Sequence, residues 1–139
     1  MGPQKRLNNY IKEVSNRSFC WGKHDCLTFT NEAWRRMHGK GWADDWLGRY
    51  MVKTKYGFRP MRAPELLAEF PFTSFIEGID AKLTRIDHIP PRGALVATSE
   101  NLAIGVGYGL GVCVGIKAAF LSRKGVVYIP VTDTEKAWL

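Results

Sequence analysis

The residues best suited to chemistry lie in one short segment, residues 19–29, with the sequence FCWGKHDCLTF. Cys26 follows a glycine-containing loop, and Asp25 before it is a residue type that caps helices, so the sequence predicts Cys26 in the first turn of a helix. Unpaired backbone N–H groups and the positive end of the helix dipole favour a thiolate there. The same N–H groups are able to hold an oxyanion during acyl transfer. Cys26 is therefore the candidate nucleophile.

An ordinary buried cysteine is the alternative, because free cysteine is among the most buried residue types. A thiol hydrolase also needs an imidazole within hydrogen-bond reach to accept the thiol proton. His24 would reach Cys26 if the loop curled back, and His88 would approach from the C-terminal half. His38 falls at the predicted end of the helix, where interaction with the helix dipole accounts for it.

Metal and cofactor sites find little support in the sequence. Cys20, His24 and Cys26 are close together, but their spacing is not that of a structural zinc site, which has a second ligand pair further along the chain. The alternate glycines of residues 105–111 do not follow a strand and open a helix, as a phosphate-binding loop must. Alternate glycines are more typical of bulges within strands. We expect no metal and no cofactor.

The first half of the chain, which must position Cys26, has helical periodicity. Apolar residues recur twice at the spacing of an amphipathic helix. The first set is Leu7, Tyr10, Ile11 and Val14, and the second, in the helix that Asp25 caps, is Phe29, Ala33, Trp34 and Met37. Gly39 is placed to end this second helix.

Two further helices are predicted before the chain changes character. A short one lies within residues 42–55, with Trp46, Leu47 and Tyr50 turned inward. The other has Pro64 in its first turn and ends at Pro71. Its apolar residues are Leu66, Leu67 and Phe70.

The second half reads as short strands separated by glycine and polar turns. The predicted strands are residues 94–98, 104–108, 111–116 and 126–131, and residues 99–101 and 123–125 are the predicted hairpin connections. Helices followed by an antiparallel sheet indicate the α+β class. At 139 residues, with 45% hydrophobic content, the chain suits one domain over residues 1–139.

The string WGKHDCLTF resembles the cysteine motif of the NlpC-type, papain-like hydrolases, in which an aromatic-glycine loop leads into Asp-Cys at a helix start. It is more similar to a family of uncharacterised phage and prophage proteins related to those hydrolases. Further similar segments run in order along nearly the whole chain from Tyr10: Ala33 with Gly39, then residues 48–50, 57–59, 91–96, 110–115, 118–120, 125–130 and 137–139.

This resemblance implies a papain-like (NlpC-type) core, with N-terminal helices packed on a C-terminal antiparallel sheet, and a setting in a phage tail. Two departures from the hydrolases stand out. Gly93-Ala94 replaces the Gly-Asp pair before the first sheet strand. The catalytic histidine stands just before a later strand in the hydrolases, and the two possible registers put Ala103 or Gly109 there. The resemblance therefore implies a degenerate hydrolase.

Charge and hydropathy limit the partners. Lysine and arginine outnumber acidic residues 20 to 13, and the net charge of +7 favours an acidic partner. The basic residues are dispersed rather than set in a stripe, so we expect a solvated face rather than a nucleic-acid interface. No apolar run approaches the about 20 residues of a membrane span. Three cysteines, an odd number, favour free thiols over a disulfide framework.

Three functional hypotheses follow. The first is a structural or assembly component of a phage tail, at its tip or hub, made in the bacterial cytoplasm and carried in the virion with other tail proteins. The second is an active peptidoglycan peptidase or amidase that uses Cys26 with a relocated histidine and acts on the bacterial cell wall. The third, a nucleic-acid-binding module, depends on net charge alone and lacks a clustered basic stripe.

Overall fold

Two helices make up the N-terminal part of the chain and carry the residues around Cys26. The computed structural model describes residues 2–99 and 109–139. Helix α1 is Pro3–Val14, and all four of its predicted inward residues are buried. Helix α2 is Cys26–His38, and its four predicted inward residues are buried as well. Gly39 ends α2 in the left-handed conformation with φ of +85°, and its N–H donates to the Arg35 carbonyl. Both helix predictions are confirmed.

The helix predicted within residues 42–55 is wrong. Asp44–Trp46 forms one 3-10 turn, and Met51–Thr54 is strand β1, which pairs antiparallel with strand β2, Gly57–Pro60. Gly48 adopts a φ of +78°, a left-handed conformation that ends the turn and that glycine tolerates because it has no Cβ. Trp46 is buried as expected and Tyr50 is half-buried, but Leu47 is 39% exposed.

Two short helices follow the hairpin. Helix α3 is Ala63–Glu69, which confirms the helix predicted to begin at Pro64 and to end before Pro71. Helix α4 is Phe75–Lys82 and was not predicted. The Ser74 hydroxyl caps α4 by accepting a hydrogen bond from the Glu77 N–H. Because α4 has only eight residues and includes a glycine, its periodicity is too short to stand out in the sequence.

The second half of the chain forms a six-stranded sheet in the order β3-β8-β4-β5-β6-β7, and every neighbouring pair is antiparallel. Its strands are β3 Arg85–Ile86, β4 Leu95–Thr98, β5 Gly109–Cys113, β6 Lys117–Ser122, β7 Gly125–Pro130 and β8 Lys136–Trp138. The strands predicted at residues 94–98 and 126–131 are confirmed, and the one at 111–116 lies two to three residues earlier, as β5. The strand predicted at 104–108 and most of the connection at 99–101 fall outside the described residues. The connection at 123–125 is the turn between β6 and β7.

Strands β3, β6 and β8, like the hairpin strands β1 and β2, were not predicted from the sequence. Four consecutive residues of β6 are buried, so its sequence lacks the apolar-polar alternation that identifies a half-exposed strand. Its two alanines also have low strand propensity. β6 is a strand because β5 and β7 pair with it on both sides, which is a tertiary effect.

The helices pack on one face of the sheet, with α2 against β5 and β6 and α1 against β7. The side chains of Leu110 and Val112 in β5 join the core that α1 and α2 complete. A smaller apolar cluster lies on the opposite face and includes Cys113 and Phe120. The predicted α+β arrangement, N-terminal helices on a C-terminal antiparallel sheet, is therefore the observed one.

Candidate functional site

Cys26 is the first residue of α2, as predicted, and a capping box precedes it. The Asp25 carboxylate accepts hydrogen bonds from the N–H groups of Leu27, at 3.0 Å, and Thr28, at 2.9 Å. In return the Thr28 hydroxyl accepts a hydrogen bond from the Asp25 N–H at 2.8 Å. Reciprocal bonding of this kind satisfies backbone donors that the first helical turn leaves unpaired. The position of Cys26 therefore follows from residues within three positions of Asp25.

Asp25 also holds the surroundings of Cys26 together. Its second carboxylate oxygen accepts hydrogen bonds from the Gly22 N–H, at 2.8 Å, and from the Tyr50 hydroxyl, at 2.5 Å. The Asp25 side chain is fully buried, so these partners replace the water it loses on folding. Burial, followed by the Asp25 carboxylate, raises the pKa of the Tyr50 phenol, which keeps its proton and remains a donor. Tyr50 was predicted only as a core residue, and nothing in the sequence near Cys26 pointed to this contact.

The Cys26 thiol is half-buried and resists ionisation. Burial and the adjacent Asp25 carboxylate raise its pKa to about 12. Backbone hydrogen bonds from Leu110, Cys26 and Leu27 lower the pKa but do not offset these two effects. The stabilisation of a thiolate that was expected from the helix N-terminus is thus outweighed by loss of hydration and by the neighbouring negative charge.

An apolar cleft of about 480 Å³ opens beside Cys26. Aromatic side chains dominate its wall: the Trp46 ring lies 5.8 Å from that of Phe70 and 5.4 Å from that of Phe72, measured between centroids. The side chains that line it come from the Cys26 loop and the start of α2, the 3-10 turn, the residue before β1, helix α3, the connection from α3 to α4, and the start of α4: Trp21, Asp25, Cys26, Leu27, Trp46, Tyr50, Ala63, Leu66, Leu67, Phe70, Phe72, Thr73, Ser74 and Phe75. The sequence signal for this cleft is the aromatic run of residues 70–75, FPFTSF.

His24 does not line this cleft. The main chains of Cys20 and His24 form an antiparallel bridge that closes the loop, and the His24 ring packs edge-on against Phe29. The ring lines a separate cavity, of about 370 Å³, beside Tyr10 and Arg17. The side chain is only 4% exposed, and its Nε2 has no hydrogen-bond partner among the described residues. Burial and then Arg17 lower the pKa of the imidazole.

The other two histidines also lie away from Cys26. His88 is exposed after β3, with Nδ1 3.0 Å from the Ile89 carbonyl oxygen, and lines neither cavity. His38 is exposed at the end of α2, and its ring packs on Trp34 with 5.2 Å between centroids. All three histidines of the chain are among the described residues, and none of them lines the cleft.

Strand β5 packs against helix α2 beside Cys26. The Leu110 N–H forms a backbone hydrogen bond to the thiol. Of the two predicted registers, the one that places Gly109 before the strand falls at β5, whose first residue is Gly109 itself. Ala103 lies outside the described residues, so the choice between the two registers stays a prediction. Successive side chains of a strand point to opposite faces of the sheet. Because Leu110 faces the helices, position 109 faces away from them.

Charges and metal ligands add no second reactive centre. Within residues 2–99 and 109–139, no group of three or more His, Cys, Asp and Glu side chains is arranged to hold a metal ion. All three cysteines are free thiols, as expected. Several arginines in the described part form ion pairs with nearby carboxylates, as Arg36 does with Glu13 and Glu32. No described helix combines the length and apolar character needed to cross a membrane.

Comparison with known families gives a match over nearly the whole chain. A family model described as "Domain of unknown function (DUF6950)" matches residues 2–139. No curated protein sequence shows significant similarity to the chain.

Proposed function

The chain belongs to the DUF6950 family, whose description assigns no activity, so we propose its function from the cleft beside Cys26: a non-catalytic, partner-binding component of a phage tail. In this proposal the cleft accepts apolar side chains of a neighbouring tail protein. One observation carries it: Cys26 lines the cleft, and none of the three histidines lies there to accept its proton.

Thiol chemistry is disfavoured on two counts. Burial and the Asp25 carboxylate raise the pKa of the Cys26 thiol to about 12, so the thiol stays protonated at neutral pH. A hydrolase could tolerate this if a base removed the proton during attack, but the cleft has no imidazole to do so. Asp25 is committed to four hydrogen bonds, with the N–H groups of Gly22, Leu27 and Thr28 and the hydroxyl of Tyr50. No lone pair of its carboxylate is left to accept the Cys26 proton.

Binding fits the chemistry of the cleft better. Its volume lies in the range of pockets that hold ligands, and its wall is mainly aromatic and aliphatic. Aromatic side chains are enriched at the centres of protein interfaces because they bury a large area at little cost in side-chain entropy. Leu67, on the rim, is 54% exposed, so an apolar partner that covered it would gain further buried area.

The phage-tail setting rests on the resemblance of residues 21–29 and of the ordered segments that follow them to phage and prophage proteins. A degenerate hydrolase fold suits an assembly role, because a surface that once held a substrate remains concave and apolar after its base is lost. In this setting the protein is a virion component with other tail proteins as its partners.

An active peptidoglycan peptidase or amidase is the alternative. It is favoured by Cys26 at the N-terminus of a helix and by the Leu110 N–H beside the thiol, which is placed to stabilise an oxyanion. This alternative needs a base that the cleft lacks, so it ranks second.

A digestion assay with purified peptidoglycan distinguishes the non-catalytic protein from the hydrolase. We expect no soluble muropeptides, by liquid chromatography and mass spectrometry, after incubation with either the wild-type protein or Cys26→Ala. Release by the wild-type protein that disappears in Cys26→Ala would establish the hydrolase instead.

Coexpression with the tail proteins of the same phage or prophage genome tests binding. Ala63→Trp places an indole in the cleft, and Ala68→Trp, exposed on the same helix but outside the cleft, is its matched control. We expect a complex by size-exclusion chromatography with the wild-type protein and with Ala68→Trp, and its loss with Ala63→Trp. A complex that survives Ala63→Trp unchanged would rule out the cleft as the binding site.

A further inference from the structure

The charged side chains of the β1-β2 hairpin and of the residues that flank it are all basic. Residues 50–62 include four basic side chains, Lys53, Lys55, Arg59 and Arg62, and no acidic one. Two large aromatic side chains project from the same hairpin: Tyr56 is 89% exposed and Phe58 is 70% exposed. We call Lys53, Lys55, Tyr56 and Phe58 the hairpin rim.

The hairpin rim has positive charge that the described chain leaves unpaired. Lys53 is exposed and forms no ion pair within the described residues. Lys55 is exposed too, and its ammonium lies 5.1 Å from the centre of the Tyr56 ring. Arg59, in contrast, binds the Glu65 carboxylate through two hydrogen bonds of 2.8 and 2.9 Å, and this contact lowers the pKa of Glu65 to about 2. The two lysines are therefore available to an external carboxylate.

Strand register links the hairpin rim to the cleft. Lys53 lies directly opposite Phe58, and Met51 opposite Pro60, so these four side chains share one face of the hairpin. On that face the Met51 side chain packs against Gly22: a Cβ built on Gly22 would lie 3.2 Å from Met51 Cγ. Trp21, which precedes Gly22, and Tyr50, which precedes Met51, both line the cleft. The apolar cleft and the hairpin rim thus adjoin through the loop before Cys26.

We propose that the cleft and the hairpin rim together bind one acidic segment of a protein partner. An apolar side chain of the segment enters the cleft, and flanking Asp or Glu carboxylates pair with Lys53 and Lys55. The inference rests on the proposed function, because it names the partner chemistry for the same cleft. Charge complementarity selects the partner: the chain has a net charge of +7, and Lys53 and Lys55 follow Tyr50, which lines the cleft, by three and five residues.

A polynucleotide fits this surface less well than a polypeptide does. Bases could stack on Tyr56 and Phe58, but two unpaired lysines neutralise few phosphates, and a nucleic acid offers no aliphatic side chain for the cleft. Addition of a partner strand to the hairpin edge is also disfavoured. Both strands have only four residues, and Lys53 and Pro60 are residue types that block edge pairing.

A random dodecapeptide library displayed on yeast is the first probe. We expect selection on the folded protein to enrich peptides that combine Asp or Glu with large apolar residues. Enriched sequences are then synthesised with a fluorescein label, and their dissociation constants are measured by fluorescence anisotropy at several salt concentrations. Labelled oligo(dT) is measured in parallel as the nucleic-acid probe.

Two pairs of variants locate the contacts. Lys53→Glu with Lys55→Glu reverses the charge of the hairpin rim, and Lys40→Glu with Lys124→Glu makes the same change in net charge at exposed lysines elsewhere. Ala63→Trp and Ala68→Trp again fill the cleft or leave it open. We expect peptide binding to weaken about tenfold in the hairpin variant and to weaken with added salt. Peptide binding should be unchanged in the variant with Lys40→Glu and Lys124→Glu. It should be lost in Ala63→Trp and kept in Ala68→Trp.

Each other outcome refutes something specific. Peptide binding that is lost in Ala63→Trp but unaffected by charge reversal of the hairpin overturns the acidic-partner inference and leaves the proposed function standing. Binding that is unaffected by Ala63→Trp overturns both, whereas a selection that enriches no peptide overturns the acidic-segment inference alone. Oligo(dT) binding that depends on Lys53 and Lys55, without peptide enrichment, replaces the protein partner by a nucleic acid.

Discussion

The Tyr50 phenol donates a 2.5 Å hydrogen bond to the buried carboxylate of Asp25 and so ties the base of the β1-β2 hairpin to the first turn of the helix that carries Cys26. The two residues are 25 positions apart. Asp25 also accepts hydrogen bonds from the N–H of Gly22 in the preceding loop and from the N–H of Leu27 at the N-terminus of α2. One buried carboxylate thus sets the relative position of the loop, the helix and the hairpin around the cleft.

Replacement of Asp25 by asparagine should destabilise the protein strongly. The amide keeps one acceptor for the helix N-terminus but presents an NH₂ group toward donors that the second carboxylate oxygen now satisfies. We expect the free energy of unfolding to fall by about 2 to 3 kcal/mol, measured by urea denaturation. Asp87→Asn, an exposed aspartate, is the control and should be neutral. Equal stability of Asp25→Asn and Asp87→Asn would show that the carboxylate is not the organising group.

Removal of the Tyr50 hydroxyl should loosen the hairpin. Tyr50→Phe deletes the donor to Asp25 but keeps the ring in the cleft wall, so we expect a loss of about 1 to 2 kcal/mol in unfolding free energy. The hairpin has tryptic sites at Lys53 and Lys55, and their cleavage in the native protein should accelerate. Tyr56→Phe, whose ring is exposed, should match the wild-type protein in both measurements. Unchanged proteolysis in Tyr50→Phe would contradict the role of this bond.

The Cys26 thiol should react slowly with iodoacetamide at neutral pH. Since burial and Asp25 raise its pKa to about 12, its alkylation rate should rise continuously up to about pH 10 without a plateau. Exposed Cys20 and buried Cys113 serve as internal references when the sites are resolved by mass spectrometry. A plateau for Cys26 below about pH 8.5 would reveal a stabilised thiolate and favour the hydrolase alternative.

His24 should make the protein less stable in mild acid. Burial and Arg17 lower the pKa of its imidazole in the folded state, whereas the unfolded chain takes up a proton near the ordinary value of 6.5. Below that pH the unfolded state binds more protons, so stability falls as pH decreases, by at most about 1.4 kcal/mol per pH unit from this group.

Unfolding midpoints between about pH 4 and pH 8 test this effect. His24→Phe keeps an aromatic ring against Phe29 and removes the titration, so its stability should vary less with pH over this range. His88→Gln, at an exposed position, should retain the wild-type pH dependence. Identical pH profiles for the wild-type protein and His24→Phe would exclude His24 as the titrating group.

Local patterns in the sequence were sufficient to predict the elements that carry Cys26. The apolar period of α1 and α2, the Asp25 cap and the Gly39 stop all involve residues within a few positions of one another. Interactions at this range are encoded in adjacent residues, and so their outcome can be predicted from them. The α+β class followed because the strand-forming residues come after the helices.

The sequence by itself thus determined helices α1, α2 and α3, the start of α2 at Cys26 and the lack of a histidine before β5. Tertiary structure decided the rest: which side of α2 His24 faces, which distant segments form the cleft, and that β6 is a strand. It also decided the ionisation of Cys26. The pKa of a thiol depends on its hydration and on nearby charge. For Cys26 these are set by its packing beside Asp25, its neighbour in the chain, and beside Leu110, which is distant in the sequence.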